Sequence, residues 1–222
     1  MIKVLLVDDH VLVRAGLRML LETAPGLTTV GEAADGLDAV RQSHALRPDV
    51  VLMDLHLPGM DGVAATERIA TELPDTKVLA LSTFDLEEHV VAALRAGASG
   101  FLPKDASPEE LIEGIRIVHR GEATVAPRLL LSLIGTFVRP SRPRAVVVPA
   151  ALSGLTERER QVLELIARGL SNRQIADEIG LSLSTVKNRV SDTFAKLGVR
   201  DRVQAVIIAY EVGLVTPGDQ NP

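Results

Sequence analysis

The sequence predicts two domains: a doubly wound α/β domain with a five-stranded parallel sheet, and behind it a small all-α domain of four short helices. Three observations carry this. The first half alternates five apolar runs with five amphipathic stretches, the periodicity turns purely helical from Thr156 onward, and a Pro- and Arg-rich break, Arg139-Pro140-Ser141-Arg142-Pro143-Arg144, stands between them.

The apolar runs at 2–7, 28–33, 50–53, 78–81 and 99–102 read as strands. They do not alternate apolar with polar, as expected of strands buried on both faces of a parallel sheet. Helical patterns fill 11–23, 36–46, 62–73, 87–96 and 108–120. The last opens on Ser107-Pro108-Glu109-Glu110, a Ser cap with Pro at the first helical position and Glu three residues on, and Gly121 supplies its stop. Residues 122–151 read as linker, with an apolar stretch at 129–137 able to form a short helix and prolines stiffening 138–151. In the second domain Thr156-Glu157-Arg158-Glu159 is a capping box, and Ser171, Ser182 and Asp201 cap three more helices. Gly169, Gly180, Gly198 and Gly213 end the four in turn, which makes a small bundle over 152–215. Residues 216–222 read as a disordered tail.

The composition is that of an ordinary soluble chain, 46% hydrophobic and 24% charged, but aromatics are only 2%, so the core has to be aliphatic. No apolar run reaches the roughly 20 residues that a membrane span needs. With no cysteine there is no disulfide framework and no thiolate metal site, and cytoplasm is the expected location. The net charge of −5 is unevenly spread. Residues 1–137 hold 12 basic and 20 acidic side chains, 138–149 hold 3 basic and none acidic, and 150–222 hold 9 of each. The acidic first domain should avoid phosphate backbones, whereas the second could approach them.

Carboxylates gather where the predicted strands end. Asp8 and Asp9 follow the first strand and Asp54 the third; Ser82 and Thr83 follow the fourth, and Lys104 the fifth. A doubly wound sheet keeps its site at the carboxyl ends of its strands, so these residues should converge. Three close carboxylates stay ionised only with a cation among them, and hard oxygen ligands with incomplete protein coordination suit Mg²⁺. Asp35, Asp38, Asp61 and Asp75 read instead as caps or solvated turn residues. His10 and His56 flank the pocket and are expected at the surface rather than as transition-metal ligands.

LLVDDH at 5–10, DVVLMDLHLPGMDG at 49–62, LST at 81–83 and GFLPK at 100–104 resemble the receiver domain of bacterial response regulators, a flavodoxin-like fold, over about residues 1–121. The resemblance implies that Asp54 accepts a phosphoryl group from a phosphohistidine on a sensor histidine kinase. It further implies that Asp9, Asp54 and the backbone carbonyl of His56 bind Mg²⁺, with Asp8 acting through water. Ser82 would hydrogen-bond the phosphoryl oxygens, Lys104 would pair with one, and Phe101 would turn inward when Ser82 moves. The chemistry is consistent, because phosphoryl transfer asks a protein mainly for positioning and charge neutralisation. In one respect the chain departs from the pattern: receivers often place Pro after the Lys, but here Pro103 precedes Lys104 and Asp105 follows. A proline there is tolerable on an edge strand.

In the predicted helix after Ser182, Val186, Val190, Phe194 and Leu197 recur at core spacing, which leaves Lys187, Asn188, Ser191 and Ala195 outward. Ser184 and Thr185 open that helix, where free backbone N–H groups could meet phosphate. A short helix, a tight turn at Gly180 and a polar-faced helix compose a helix-turn-helix suited to a major groove. Residues 155–202 resemble the LuxR-type output domain of the NarL/FixJ response regulators, over about 152–215. That likeness implies base contacts by Lys187, Asn188 and Ser191 and phosphate contacts by Thr185, Arg189 and Lys196 on double-stranded DNA. It also implies a homodimer, formed on activation, to which Val203, Val206, Ile207 and Tyr210 contribute. Arg189 stands where His is common, and Asp192 sets a negative charge on the recognition helix.

The sequence thus points to a transcription regulator controlled by phosphorylation, not to a turnover enzyme. Two alternatives stay open at this level: a regulator that binds DNA whatever the state of its pocket, and a metal-dependent phosphatase.

Overall fold

The computed structural model describes residues 1–82, 87–122 and 150–215, and the chain divides into two compact units, 1–129 and 130–222. Thr83, the expected helix at 129–137, nearly all of the linker and the tail at 216–222 lie outside the described residues.

The first unit follows β1 (Ile2–Val7), α1 (Val11–Thr23), β2 (Leu27–Ala33), α2 (Gly36–Leu46), β3 (Val50–Asp54), α3 (Gly62–Glu72), β4 (Lys77–Ser82), α4 (Glu87–Arg95), β5 (Gly100–Pro103) and α5 (Pro108–His119). The strands form one parallel sheet in the order β2-β1-β3-β4-β5. Alternate strand residues serve opposite faces. Val4, Leu6, Val50, Leu52, Leu79 and Leu81 meet Leu21 of α1 and Leu111, Ile115 and Val118 of α5. Leu5, Val7, Val51, Met53 and Val78 meet Ala39 and Val40 of α2 and Ala65 and Ile69 of α3. Burial on both faces is why these strands read as unbroken apolar runs.

The strands run slightly further than their apolar stretches. Parallel pairing carries β3 as far as Asp54, opposite Leu81, and β4 as far as Ser82, opposite Pro103. Beyond those pairs, the Leu55 N–H reaches the Leu81 carbonyl at 3.2 Å and the Lys104 N–H reaches the Ser82 carbonyl at 2.8 Å. Asp54 and Ser82 are therefore ladder residues, held by the sheet, not loop residues beyond it. Pro103 falls on the outermost strand, where its missing donor costs no ladder bond on the open side.

The second unit comprises α6 (Ala150–Ser153), α7 (Glu157–Ala167), α8 (Asn172–Ile179), α9 (Leu183–Leu197) and α10 (Arg202–Glu211). The short α6 starts in the stretch read as linker. Leu152 and Leu155 are both buried in the core of this unit, and their burial draws the chain in ahead of the Thr156 cap. Thr156 with Glu159 and Ser171 with Gln174 form complete capping boxes, and Ser182 and Asp201 cap α9 and α10. Gly180, at φ 66°, ends α8 in the left-handed region and allows the tight turn into α9. The core is aliphatic, with Val162, Leu163 and Ile166 of α7, Ile175 of α8, Val186 and Val190 of α9, and Ala205 and Ala209 of α10.

Candidate functional site

The carboxyl ends of β1, β3, β4 and β5 bring together the residues expected to act. Asp8, Asp54 and Ser82 are buried, at 1%, 2% and 1% exposure, while Asp9 is exposed. The Lys104 ammonium bridges the two buried acids, 2.5 Å from Asp8 Oδ2 and 2.8 Å from Asp54 Oδ2. The backbone N–H of His10 donates to Asp8 Oδ1 (2.8 Å) and that of His56 to Asp54 Oδ1 (3.1 Å). Each buried carboxylate is thus gripped at both oxygens. The loop after β3 folds back so that the Gly62 N–H meets the Leu55 carbonyl at 3.0 Å. A Cβ on Gly62 would lie 2.0 Å from the Asp54 carbonyl oxygen, so only glycine admits that approach.

Burial pulls the Lys104 ammonium toward neutrality, but the hydrogen bonds and charges of Asp54 and Asp8 outweigh it and hold its pKa above the ordinary 10.5. Three carboxylates against one ammonium leave two negative charges, which one divalent cation would balance. An all-oxygen donor set, two members of it fixed and Asp9 at the rim, fits Mg²⁺. Asp8, Asp9 and His10 place ligand atoms within 4.8 Å of one another.

Both flanking histidines are exposed, as expected, but neither stands alone. His10 Nδ1 lies 2.6 Å from Asp9 Oδ1. The His56 ring meets that of His89 edge-on at 5.0 Å, beside a cleft of about 460 Å³ that Asp9 and Asp61 also line. His89 escaped sequence reading because it is far from His56 along the chain and no spacing pattern links them. Asp35 and Asp61 cap α2 and α3, and Asp38 pairs with Arg41. Phe101 is already fully inside, at 0% exposure, so the inward position is the one occupied.

On α9, Val186 and Val190 face the core, with Phe194 and Leu197 packed against it. Ser184, Lys187, Asn188, Ser191 and Lys196 are exposed, and Thr185 and Arg189 are half-buried. One expectation needs correction. The Thr185 N–H is not free for phosphate: it donates to the capping Ser182 Oγ at 3.2 Å, because the cap that starts the helix uses that donor. The four α10 residues expected to contribute to a dimer also pack within this unit. Val203 and Ile207 are 5% and 7% exposed, Val206 and Tyr210 pack on the core, and the Tyr210 hydroxyl donates to the Ala167 carbonyl at 3.3 Å. A domain almost without aromatics uses these side chains to close its own core. The Lys196 ammonium is held by Glu159 at 2.8 Å.

A parallel sheet with a buried aspartate, two further acids and a lysine at its carboxyl edge, on one chain with a helix-turn-helix, defines a class: a receiver joined to a DNA-binding output. Residues 4–116 match the response regulator receiver domain family, and residues 153–209 match the luxR family of bacterial regulatory proteins. The chain belongs to the two-component response regulators with a LuxR-type output domain. It is 40% identical to the response regulator protein VraR of Staphylococcus aureus over 214 residues, 96% of this chain and 99% of that protein. The crystal structure of ChrA, response regulator of a heme-sensing two-component system, matches at 36% identity and TM-score 0.52 over 96% of this chain and 98% of that one. A structure of RcsB dimers bound to DNA shares the fold at 22% identity, TM-score 0.56, with 95% and 98% covered. Among the described residues no helix is long and apolar enough to cross a membrane.

Proposed function

We propose that Asp54 is the phosphoacceptor of this response regulator, taking its phosphoryl group from the phosphohistidine of a sensor histidine kinase in the cytoplasm. The observation that carries the proposal is the Lys104 ammonium held between the buried carboxylates of Asp8 and Asp54, at 2.5 and 2.8 Å. Asp8, Asp9, Asp54 and the His56 carbonyl would hold Mg²⁺, which when bound neutralises phosphoryl oxygens. At the carboxyl end of β3 the Asp54 carboxylate would act as nucleophile, and Lys104 would leave it for a phosphoryl oxygen once the aspartyl phosphate forms. Ser82, beside it on β4, then turns to that same group, and the change passes to Phe101 on β5. The chain gains and slowly loses one phosphoryl group rather than turning over a substrate.

Phosphorylation promotes a homodimer that binds double-stranded DNA. Lys187, Asn188 and Ser191 on the exposed face of α9 meet base edges, and Arg189, Ser184 and the Thr185 hydroxyl lie near phosphates. With nine basic and nine acidic side chains in 150–222, non-specific affinity from counterion release is modest, so dimerisation supplies part of the binding. Val206 and Tyr210, the half-buried pair of the four on α10, offer edges to a partner copy.

The test is incubation with Mg²⁺ and acetyl phosphate, read by intact mass and by operator binding. The wild type gains one phosphoryl group and binds DNA more tightly, whereas Asp54→Asn does neither. Phosphorylation of the Asn variant would exclude Asp54 as the acceptor.

A further inference from the structure

His10 makes two contacts that both act on the pocket's acids. Its backbone N–H donates to Asp8 Oδ1 at 2.8 Å, and its imidazole Nδ1 lies 2.6 Å from Asp9 Oδ1 and 3.5 Å from Asp8 Oδ1. His10 is the residue before α1, and its side chain makes no capping bond to that helix. Its imidazole is 70% exposed, so it fills no core space either. What the side chain does touch is Asp9, the one acid of the three that neither burial nor Lys104 holds in place.

We infer that His10 is a positioning residue for the divalent cation: its Nδ1–H fixes the Asp9 carboxylate in the orientation that presents the second oxygen to the ion. An ionised carboxylate accepts but does not donate, so a 2.6 Å contact between nitrogen and oxygen requires the proton on Nδ1. A nitrogen carrying that proton has no lone pair for a metal, so through the Nδ1 that touches Asp9 the imidazole acts as an orienting group behind the ligand. The torsion that turns an aspartate carboxylate is broad and soft. An exposed Asp9 would otherwise spread over many orientations, and the imidazole selects one. Outer partners of this kind tune metal affinity by about 10- to 100-fold.

This inference rests on the Mg²⁺ reading of the pocket, and one titration separates the failure of each. Mn²⁺ takes the same oxygen ligands and is followed by its own electron paramagnetic resonance signal, independent of phosphorylation. With the full-length protein, the wild type should bind one Mn²⁺, and His10→Ala should weaken that binding by about 10- to 100-fold. His10→Asn should recover most of the loss, because the Asn side-chain N–H can occupy the place of Nδ1–H. Equal binding by wild type and His10→Ala overturns the inference and leaves the pocket reading intact. Failure of His10→Asn to recover binding also overturns it, as a role for the imidazole as ligand would predict. Absence of Mn²⁺ binding by the wild type overturns the pocket reading itself, and the inference with it. Circular dichroism of both variants checks that α1 is retained.

Discussion

Glu159 Oε2 accepts two hydrogen bonds at 2.8 Å, one from the Lys196 ammonium and one from the Thr156 backbone N–H. The same carboxylate therefore closes the capping box that starts α7 and fastens the last turn of α9, the helix that presents Lys187 and Asn188. The ion pair thus adds a tie between α7 and α9 to the core packing of Val186 and Val190. The exposed cation that the family likeness assigns to the DNA backbone is also paired within its own domain.

The salt dependence of DNA binding separates the two roles of Lys196. Each phosphate neutralised by a side chain contributes about 0.9 to the slope of log affinity against log salt. For Lys196→Met the expected outcome is several-fold weaker binding at every salt concentration with an unchanged slope. A slope shallower by about 0.9, measured by fluorescence anisotropy on one operator, would restore Lys196 to the phosphate contacts.

The Glu159 pair also sets an acid limit. The hydrogen bonds from Lys196 and Thr156 lower the carboxyl pKa from the ordinary 4.5 to about 2. A depressed carboxyl pKa stabilises the fold fully above its unfolded value, and that stabilisation is lost as pH falls from about 4.5 toward 2. Amides of α7 and α9 should lose exchange protection across this window in the wild type, and Glu159→Gln should show less protection at neutral pH with a flatter acid decline. Parallel declines in both proteins would remove Glu159 as the cause.

Gly62→Ala tests how the sheet holds the acceptor. The new Cβ would meet the Asp54 carbonyl oxygen at 2.0 Å and the Leu55 Cα at 2.6 Å, both backbone and neither able to swing aside. Overpacking of this kind costs about 1–3 kcal/mol. The receiver should unfold at lower denaturant concentration, and acetyl phosphate should label Asp54 more slowly, because the peptide that aims its carboxylate has shifted. A variant with wild-type denaturation and labelling would mean that the loop relaxes freely.

Much of this was legible in the sequence because the signals are local. Strand runs, capping boxes and the strand-end placement of Asp8, Asp54 and Lys104 each occupy a few adjacent residues, and parallel-sheet geometry then brings the strand ends together. What escaped depends on pairs far apart in sequence. No periodicity connects Glu159 to Lys196 or His56 to His89, and the apolar spacing of α10 does not by itself show that Val203 and Ile207 are buried while Val206 and Tyr210 are only half-buried. The Thr185 donor is a local case: the capping residue, Ser182, is the one that consumes it.

Lys104→Met isolates the electrostatics of the pocket. Methionine keeps the length of the side chain but removes the ammonium that neutralises Asp8 and Asp54, both nearly inaccessible to water. Removing one partner of a buried ion pair costs about 3 kcal/mol at the lower end, suitable for a lysine that is 14% exposed. Because the Lys104 pKa is raised above 10.5, its contribution is complete at neutral pH and is lost only as pH climbs past the folded value. The metal-free variant should therefore melt well below the wild type at pH 7. Magnesium supplies positive charge to the same acids, so saturating Mg²⁺ should raise the melting temperature of Lys104→Met by more than that of the wild type and narrow the gap. Equal magnesium shifts would show that the cation and the lysine do not share those carboxylates, and the charge balance assigned to the pocket would fail.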